Sequence, residues 1–447
     1  MASSFPDALR LKSFEGAHGV VKLPGSKSIS NRALLLSALA LGKTELIELL
    51  DADDVRFLMS ALTTLGVTIE KRDAQHALVH GVAGNFPQKS ATLFLGNAGT
   101  AVRPLTAVLS LLGGDYTLDG VPRMRERPIR DLVDALYRLS CQVRYLGNEG
   151  YLPLWIGERN PDAPVPHEIQ IRGDVSSQFL SALLMALPLL PNPHAASHTQ
   201  VRLTTPLISR PYVNITTHLM ARFSVEVKTP DDHTFLVPRG VCYQSPQRFW
   251  VESDASSASY FLAAGAIGGG AVRVLGVGKH SIQGDIAFAR VLEDQGAIIR
   301  WGDNYIEAAS HQNAAGKVVF KGGEIDCLNI PDAAMTLAIT ALSAATPTTL
   351  LNIGSWRVKE TDRIAAVATE LRKVGARVET TSDSLTVYPT SALHHAAIDT
   401  YEDHRMAMCF SLLSLMGTDI TINHPSCVAK TFPTYFDLFQ SIGGGKK

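Results

Sequence analysis

Residues 25–41 read GSKSISNRALLLSALAL, a pattern that recurs along the chain. A short turn of glycine and serine opens a segment that is apolar on nearly every side. A helix of that composition is buried rather than laid on a surface. Its first turn has backbone N–H groups without helical partners, and the helix dipole makes that end attractive to anions. The stretch therefore predicts a buried helix with an anion-binding N-terminus, although serine is also simply a good N-cap.

The same layout recurs six times in the 447-residue chain, with openings at positions 25, 96, 173, 253, 331 and 402. After each opening come an Ala- and Leu-rich helix, a strand, a second helix and, in most units, further strands. The second helices are predicted to begin near positions 53, 128, 211, 284, 361 and 433. Self-similarity at a fixed period is the signature of a repeat architecture. Because one hydrophobic core stops growing near ~250–300 residues, six units predict two domains.

We therefore expect an α/β fold of two similar domains, each with three repeated helix-strand-helix-strand units whose buried helices are ringed by sheets. A (β/α)8 barrel also alternates helices and strands, but it needs more units of a shorter period. The content of 46% hydrophobic and 19% charged residues is that of a globular protein. A formal charge of −1 argues against a general nucleic-acid binder, which carries a basic excess.

Missing motifs exclude several other functional classes. No apolar run reaches the ~18–20 residues that span a bilayer, and the first residues lack a signal-peptide pattern. The five cysteines form no CxxC pair, so we expect reduced thiols and a cytoplasmic location. Gly42, Lys43 and Thr44 end like a Walker A loop, but Ser37 stands where that loop needs glycine. Without HExxH or GxSxG motifs, we expect neither metal catalysis nor a covalent serine mechanism.

Cations recur at turn and cap positions of the repeats, beside small residues. Any one of them alone is best explained as a solvated surface charge. Two acids, Asp332 and Glu360, lie among them, although each is also explained locally as a helix cap or first-turn acid. A cationic site with two acids suits general acid–base chemistry on an anionic substrate. The cations are Lys27, Arg32, Arg103, Arg127, Lys359, Arg363, Arg405 and Lys430.

Five motifs carry a resemblance to a known family. They are LPGSKSISNR at 23–32, GNAGTAVRP at 96–104, WRVKETDR at 356–363, EDHRMAM at 402–408 and AKTFP at 429–433. Together they resemble the signatures of the 5-enolpyruvylshikimate-3-phosphate synthases, in their glyphosate-sensitive bacterial class. The resemblance covers nearly the whole chain.

The resemblance implies transfer of the enolpyruvyl group of phosphoenolpyruvate to the 5-hydroxyl of shikimate 3-phosphate, with release of phosphate. The reaction is an addition–elimination through a tetrahedral intermediate, in the shikimate pathway to chorismate and aromatic amino acids. It also implies an N-terminal-half domain at 25–251 and a discontinuous C-terminal-half domain of 1–24 plus 252–447, with a cleft that closes on substrate. We expect a monomer that uses no cofactor and no metal and binds neither nucleic acid nor membrane.

The resemblance also assigns site residues. Asp332 is the expected base for the 5-hydroxyl, and Glu360 the expected acid for the methylene carbon, aided by Lys27 or Lys430. The cations listed above, with the exception of Arg103, are seven in number and offset roughly −5 to −6 charges on the substrates, at ~1.5–2 per phosphate. Shikimate 3-phosphate is assigned to Lys27, Ser28, Arg32, Ser176, Ser177, Gln178, Ser209, Tyr212, Asp332, Ser355 and Lys359. Phosphoenolpyruvate is assigned to Lys27, Asn97, Gly99, Thr100, Arg127, Gln178, Arg363, Arg405 and Lys430.

The chain departs from the family pattern at Ser355 and Glu402, where asparagine is usual, and at Val102, where methionine is usual. Two alternatives stay open. A UDP-N-acetylglucosamine enolpyruvyl transferase would carry a cysteine in the loop at 120–128, where this chain has arginines and no cysteine. A non-catalytic anion-binding repeat protein would lack Asp332 or Glu360, and both are present.

Overall fold

The computed structural model describes residues 6–160, 162–191, 198–311, 319–390 and 392–444. The chain forms two compact units. The N-terminal-half unit is Gly25–Val251, and the C-terminal-half unit combines Met1–Pro24 with Glu252–Lys447. A helix of the length and apolarity needed to cross a bilayer does not occur in the described ranges.

The helices of the described residues follow the repeat in pairs. In each pair the first helix follows a repeat opening, and the second buries a smaller share of its residues. The α-helices are Lys27–Leu39 (α1), Asp53–Thr64 (α2), Gly99–Leu112 (α3), Arg130–Arg138 (α4), Ser177–Ala186 (α5), Arg210–Arg222 (α6), Ala255–Gly268 (α7), Ala287–Asp294 (α8), Ala334–Thr340 (α9), Arg363–Lys373 (α10), His404–Ser411 (α11) and Tyr435–Ile442 (α12).

The strands are short, and they are Ala8–Leu11 (β1), Ala17–Lys22 (β2), Lys43–Ile47 (β3), Thr68–Lys71 (β4), Ala77–His80 (β5), Ser90–Phe94 (β6), Asp115–Asp119 (β7), Val143–Tyr145 (β8), Leu154–Ile156 (β9), Glu168–Ile171 (β10), His198–Leu203 (β11), Lys228–Asp231 (β12), Thr234–Pro238 (β13), Arg248–Trp250 (β14), Gly269–Leu275 (β15), Ala297–Trp301 (β16), Tyr305–Ser310 (β17), Gly323–Asp326 (β18), Thr348–Leu351 (β19), Val378–Thr380 (β20), Leu385–Val387 (β21), Ala397–Ile398 (β22) and Ile420–Asn423 (β23).

The described residues form six small sheets, and five of them share one strand order. In β6-β7-β9-β8 the first two strands are parallel, and the remaining neighbours are antiparallel. The sheets β10-β11-β13-β12 and β18-β19-β21-β20 copy this order. A parallel pair needs a crossover, and here the opening helix of the repeat supplies it. In the sixth sheet, β1 replaces the final hairpin and pairs antiparallel with β23.

Two sheets exchange their first strands where the chain passes between the units. β2 precedes α1 in sequence but pairs with β15, which follows α7. β14 precedes α7 but pairs with β3, which follows α1. Within the C-terminal-half unit, the N–H of Asp254 donates to the carbonyl of Pro24 at 2.8 Å, and Ser253 Oγ donates to the carbonyl of Leu23 at 3.1 Å. Each exchanged sheet therefore lies wholly within one unit.

The opening helices form the cores, as the apolar stretches predict. Helix α7 is buried at every residue from 255 to 267. In the same unit, the Tyr435 ring of α12 lies 5.7 Å from Tyr260 and 5.6 Å from both Phe261 and Phe432. Its hydroxyl donates to the carbonyl of Met408 on α11 at 2.9 Å. This aromatic cluster joins α7, α11 and α12 and thereby orients Tyr260, which contacts the candidate site.

The second helices begin close to their predicted positions. Helix α2 begins at Asp53 as predicted, and α4 and α12 each begin two residues after the proline that was expected to start them. The helix expected near position 284 begins with a 3-10 turn, Gly284–Ile286, before α8. Such offsets are normal, since helix ends often tighten into 3-10 turns.

Candidate active site

In the N-terminal-half unit, Lys27 is the first residue of α1. Ser26 caps this helix by accepting the N–H of Ile29 at 3.4 Å. The side chain of Lys27 is almost buried, and its Nζ lies 3.7 Å from Oδ2 of Asp54. Asp54 belongs to the first turn of α2, which packs against α1, and is 2% exposed. The carboxylate therefore holds the ammonium group at the start of α1.

Arg32 lies one turn further along α1 and is 4% exposed. It donates to Thr216 Oγ1 at 2.7 Å and to the carbonyls of Ser28 at 2.9 Å and Tyr212 at 3.3 Å. These acceptors are neutral oxygens. Burial lowers the pKa of Arg32 to about 10, so the guanidinium is still charged at pH 7. A buried cation with neutral partners is well suited to an anionic ligand.

A second cationic group surrounds the start of α3. Arg127 Nη1 donates to the carbonyl of Asn97 at 3.1 Å and to its Oδ1 at 2.9 Å. Arg103 Nη2 donates to the carbonyl of Pro128 at 3.1 Å. Gly99 is closely surrounded, because a Cβ there would lie 2.5 Å from Arg103 Nη1 and 2.8 Å from Arg127 Nη2. A methyl group here would push both guanidinium ends away from the start of the helix.

The remaining predicted residues of this unit lie at the starts of α3, α5 and α6. Thr100 Oγ1 accepts from Asn31 Nδ2 at 2.7 Å. Ser176 caps α5 by accepting the N–H of Gln178 at 3.2 Å, and Ser177 is buried as the first residue of that helix. Ser209 caps α6 in the left-handed conformation (φ 54°), and its carbonyl accepts the N–H of Tyr212 at 3.1 Å. Hydroxyls at helix N-termini are suited to binding phosphate.

In the C-terminal-half unit, Asp332 lies among three cations. Its Oδ1 accepts from Arg363 Nη1 at 3.0 Å, and its Oδ2 accepts from Arg405 Nη2 at 2.9 Å. Lys359 Nζ lies 3.6 Å from Oδ1. The buried Trp356 donates its indole N–H to the carbonyl of Pro331 at 2.7 Å. The turn that carries Asp332 is therefore held against the loop that carries Lys359 and Glu360.

Arg363 is the first residue of α10 and joins three carboxylates. Its Nε and Nη2 donate to the two oxygens of Asp403 at 2.7 and 3.3 Å, and Nη2 also donates to Glu360 Oε2 at 3.0 Å. Asp403 is 0% exposed and Arg363 is 1% exposed. Burial acts to lower the pKa of Arg363, but the carboxylates of Asp403, Glu360 and Asp332 outweigh it and raise the pKa. The guanidinium is therefore permanently charged.

Arg405 is the second residue of α11. Besides the carboxylate of Asp332, its guanidinium has two neutral hydrogen-bond partners. Its backbone N–H donates to Asp403 Oδ1 at 2.9 Å. Its guanidinium donates to the hydroxyls of Tyr260 and Ser256, each at 3.0 Å. Burial raises the pKa of Tyr260, so its hydroxyl stays protonated. The guanidinium is fixed by packed residues of α7 as well as by the acid.

Two further predicted residues of this unit lie in 3-10 helices. Ser355 belongs to a 3-10 helix, Gly354–Val358, and is half-buried. Lys430 ends another 3-10 helix, Pro425–Lys430, and is 8% exposed. The predicted residues thus divide between the units, with those from 27 to 212 in one and those from 332 to 430 in the other.

Sequence reasoning missed several residues that hold the cations. Asp54 and Asp403 were not assigned, because an acid at a helix start is fully explained as a cap or first-turn charge. Asp403 lies inside the motif at 402–408, which was the available signal. Thr216, Ser256 and Tyr260 carry no local pattern that distinguishes them from core residues, and only the packing of the helices brings them to Arg32 and Arg405.

A family model for EPSP synthase (3-phosphoshikimate 1-carboxyvinyltransferase) matches residues 13–439. The 3-phosphoshikimate 1-carboxyvinyltransferase of Paraburkholderia phytofirmans is 56% identical over 437 residues, covering 97% of this chain and 99% of that protein. The one of Thiobacillus denitrificans is 57% identical over 427 residues, covering 95% and 97%.

Solved structures agree in fold. An EPSP synthase from Acinetobacter baumannii matches with a TM-score of 0.76 at 26% identity, over 98% of each chain. The enolpyruvyl transferase NikO from Streptomyces tendae has a TM-score of 0.75 at 15% identity, which shows a common fold.

The fold is therefore that of the enolpyruvyl transferases, and the predicted fold class is confirmed. Within that class, the chain belongs to the EPSP synthase family, as the five motifs predicted.

Proposed function

We propose that this protein transfers the enolpyruvyl group of phosphoenolpyruvate to the 5-hydroxyl of shikimate 3-phosphate and releases phosphate. Relatives that are 56% and 57% identical carry the corresponding name. The observation that carries the proposal is the placement of two acids, Asp332 and Glu360, within hydrogen-bonding distance of the same buried arginine, Arg363. Two acids grouped with several buried cations are suited to proton transfer on a highly charged substrate.

The arginines of the C-terminal-half unit bind the carboxylate and phosphate of phosphoenolpyruvate, together with Arg127 and Lys27. A guanidinium fork matches two oxygens of either group at once. Arg363 and Arg405 both donate to Asp332, so a substrate anion that takes up these donors leaves the Asp332 oxygens available to accept a proton. Substrate binding thereby converts a well-neutralised carboxylate into a stronger base.

Shikimate 3-phosphate is bound by the helix starts of the N-terminal-half unit and by Lys359. Ser176, Ser177 and Ser209 supply hydroxyls at helix N-termini, where the phosphate is favoured. Arg32 binds the substrate carboxylate, since its protein partners are neutral oxygens. The carboxylate also returns electrostatic stabilisation to a guanidinium that burial has made less basic.

The chemical steps follow from the two acids. Glu360 gives a proton to the methylene carbon of phosphoenolpyruvate, which builds positive charge on the central carbon. The 5-hydroxyl oxygen attacks that carbon while its proton passes to Asp332, giving the tetrahedral intermediate. Glu360, now ionised, takes a proton from the new methyl group while the bond to the phosphate oxygen breaks, and the phosphate leaves with the proton held by Asp332. This restores the alkene on the shikimate oxygen. Lys27 and Lys430 assist by stabilising the phosphate as it leaves.

Purified protein is expected to release inorganic phosphate from phosphoenolpyruvate only when shikimate 3-phosphate is also present. A coupled phosphate assay in a chelating buffer measures this directly. UDP-N-acetylglucosamine in place of shikimate 3-phosphate is the control for the sister reaction. Phosphate release with the nucleotide sugar, or binding of both shikimate 3-phosphate and phosphoenolpyruvate without turnover, would overturn the proposal.

Gly99→Ala is expected to weaken glyphosate inhibition about tenfold or more while leaving shikimate 3-phosphate affinity nearly unchanged, tenfold being ~1.4 kcal/mol. The new methyl lies 2.8 Å from Arg127 Nη2 and so displaces a guanidinium that is assigned to phosphoenolpyruvate. Gln178 Oε1, which is assigned to both substrates, lies further away at 3.1 Å. Inhibition constants against phosphoenolpyruvate and calorimetric titration of shikimate 3-phosphate measure the two effects. Gly147→Ala is the matched control, since its methyl meets nothing closer than 3.4 Å. An equal loss of both affinities would contradict the assignment.

Ser355→Asn is expected to tighten shikimate 3-phosphate binding by tenfold or less, because a neutral hydrogen bond contributes ~0.5–1.5 kcal/mol. An asparagine side chain reaches further from the 3-10 helix than serine does. Phosphoenolpyruvate binding and kcat should change little. Calorimetric titration of both substrates tests this, and an unchanged shikimate 3-phosphate affinity would mean that Ser355 only shapes the loop before Trp356.

A further inference from the structure

A buried carboxylate outside the assigned site lies on the helix that carries Arg363. Glu370 is 0% exposed and follows Arg363 by two turns of α10, on the same face. Its Oε1 accepts from the Tyr401 hydroxyl at 2.7 Å, and its Oε2 accepts the N–H of Asp399 at 3.1 Å. Lys373 Nζ also lies 2.9 Å from Oε2. None of the catalytic steps above uses this acid.

The need to neutralise Lys373 does not explain why the Glu370 carboxylate is buried. Lys373 is 35% exposed and also pairs with Asp399 at 2.6 Å. The Tyr401 and Asp399 bonds instead direct the carboxylate to the segment that leads into α11. Burial, with the bond to Glu370 acting in the same direction, raises the pKa of Tyr401 to about 12, so its hydroxyl donates at neutral pH.

The segment held by Glu370 has an unfavourable backbone. Tyr401 and Glu402 have φ values of 53° and 56°, so two consecutive residues that are not glycine lie in the left-handed region. That conformation persists only where surrounding contacts impose it. Asparagine tolerates it better than glutamate does, and glutamate stands here where the family pattern has asparagine. This chain therefore depends on an external contact to keep the turn.

The turn delivers Asp403 to the candidate site. The N–H of Asp403 donates to the carbonyl of Thr400 at 2.8 Å, which closes the turn. Asp403 then accepts two bonds from Arg363 and one from the backbone of Arg405. Helix α10 thus contacts the same segment twice, through Glu370 at Asp399 and Tyr401 and through Arg363 at Asp403.

We infer that Glu370 is a positioning residue that holds the left-handed turn at 401–402 and thereby sets Asp403, the guanidinium of Arg363 and the first turn of α11. The inference rests on the proposed function in one respect, the role of Arg363 and Arg405 in binding phosphoenolpyruvate. A residue with this role affects the affinity for phosphoenolpyruvate more than that for shikimate 3-phosphate. A residue with only a general structural role affects both, or neither.

The test uses Tyr401→Phe, which removes only the hydroxyl, and Glu370→Gln, each in the whole 447-residue chain. Each is expected to raise the KM for phosphoenolpyruvate about tenfold, as for the loss of one hydrogen bond to a charged group, with the KM for shikimate 3-phosphate within twofold. Adding Glu402→Asn to Tyr401→Phe is expected to restore at least half of the loss, because asparagine adopts the turn unaided. Tyr388→Phe is the control, since that hydroxyl bonds Glu379 elsewhere in the same unit.

Hydrogen exchange of the amides at 403–405 provides a second readout that needs no turnover. Faster exchange in Tyr401→Phe and Glu370→Gln, but not in Tyr388→Phe, is expected. Unchanged exchange and unchanged KM values in Tyr401→Phe overturn the inference, as does an equal rise of both KM values. If the wild-type protein shows no turnover, the proposed function fails, and the exchange rates alone decide the inference.

Discussion

Glu360→Gln is expected to lower kcat by about 10²–10⁴-fold, the usual effect of removing a general acid or base. Glutamine keeps the volume of the side chain and an oxygen to accept from Arg363 Nη2, but it has no proton to give to the methylene carbon. Asp332→Asn is expected to act similarly on proton removal from the 5-hydroxyl. Steady-state rates across pH measure both variants, and each is expected to lose one limb of the wild-type profile.

Asp362→Asn is the matched control for these variants. Asp362 directly precedes Arg363, caps α10 by accepting the N–H of Ala365 and pairs with Arg357, away from Asp332 and Glu360. Asparagine is as good a cap as aspartate, so kcat should stay near the wild-type value. A loss in Glu360→Gln below tenfold, or an equal loss in Asp362→Asn, would remove Glu360 from its role as the acid.

Asp403→Ala is expected to destabilise the protein by about 3–5 kcal/mol, because it leaves one partner of a buried ion pair without its main counter-charge. Arg363 is 1% exposed and directs two of its donors to Asp403. The same change also removes the cap of α11. Chemical denaturation followed by fluorescence measures the loss.

The control for Asp403→Ala is Asp303→Ala in the same unit. Asp303 pairs with Lys279 at 2.8 Å on the surface, where ion pairs contribute little, so its removal should leave the denaturation midpoint unchanged. A midpoint for Asp403→Ala that equals that of the control would show that Glu360 and Asp332 alone neutralise Arg363.

The helices could be predicted because their signals are local. Polar openings followed by Ala- and Leu-rich runs placed the six buried helices, and Asp53 marked the start of α2 correctly. The exchange of β2 and β14 could not be predicted in the same way. Arg248–Trp250 is only three residues long and has no alternation to identify its partner, so register and pairing depend on tertiary packing.

The residues of the candidate site were likewise predictable only in part. Glycine- and serine-rich openings with adjacent cations indicated anion binding, and the family motifs assigned the individual groups. Residues that act through others stayed hidden, because Asp54 and Asp403 have a sufficient local explanation at helix starts. Glu370 sits in the middle of an amphipathic helix, where a glutamate is ordinarily a solvated surface charge. Its burial depends on the turn at 401–402, which is remote in sequence. The monomeric state and the absence of a cofactor stay predictions.

The hydrogen bonds between Pro24 and Asp254 and between Leu23 and Ser253 have a consequence for modularity. They bring the two ends of the interrupted C-terminal-half unit side by side, so a linker of a few glycines is long enough to bypass residues 25–251. The bypassed stretch is continuous and keeps all strands of its own sheets, including β14. The N-terminal-half unit is therefore a continuous insertion within the C-terminal-half unit, and we expect each unit, with the sheets intact, to fold as a separate polypeptide.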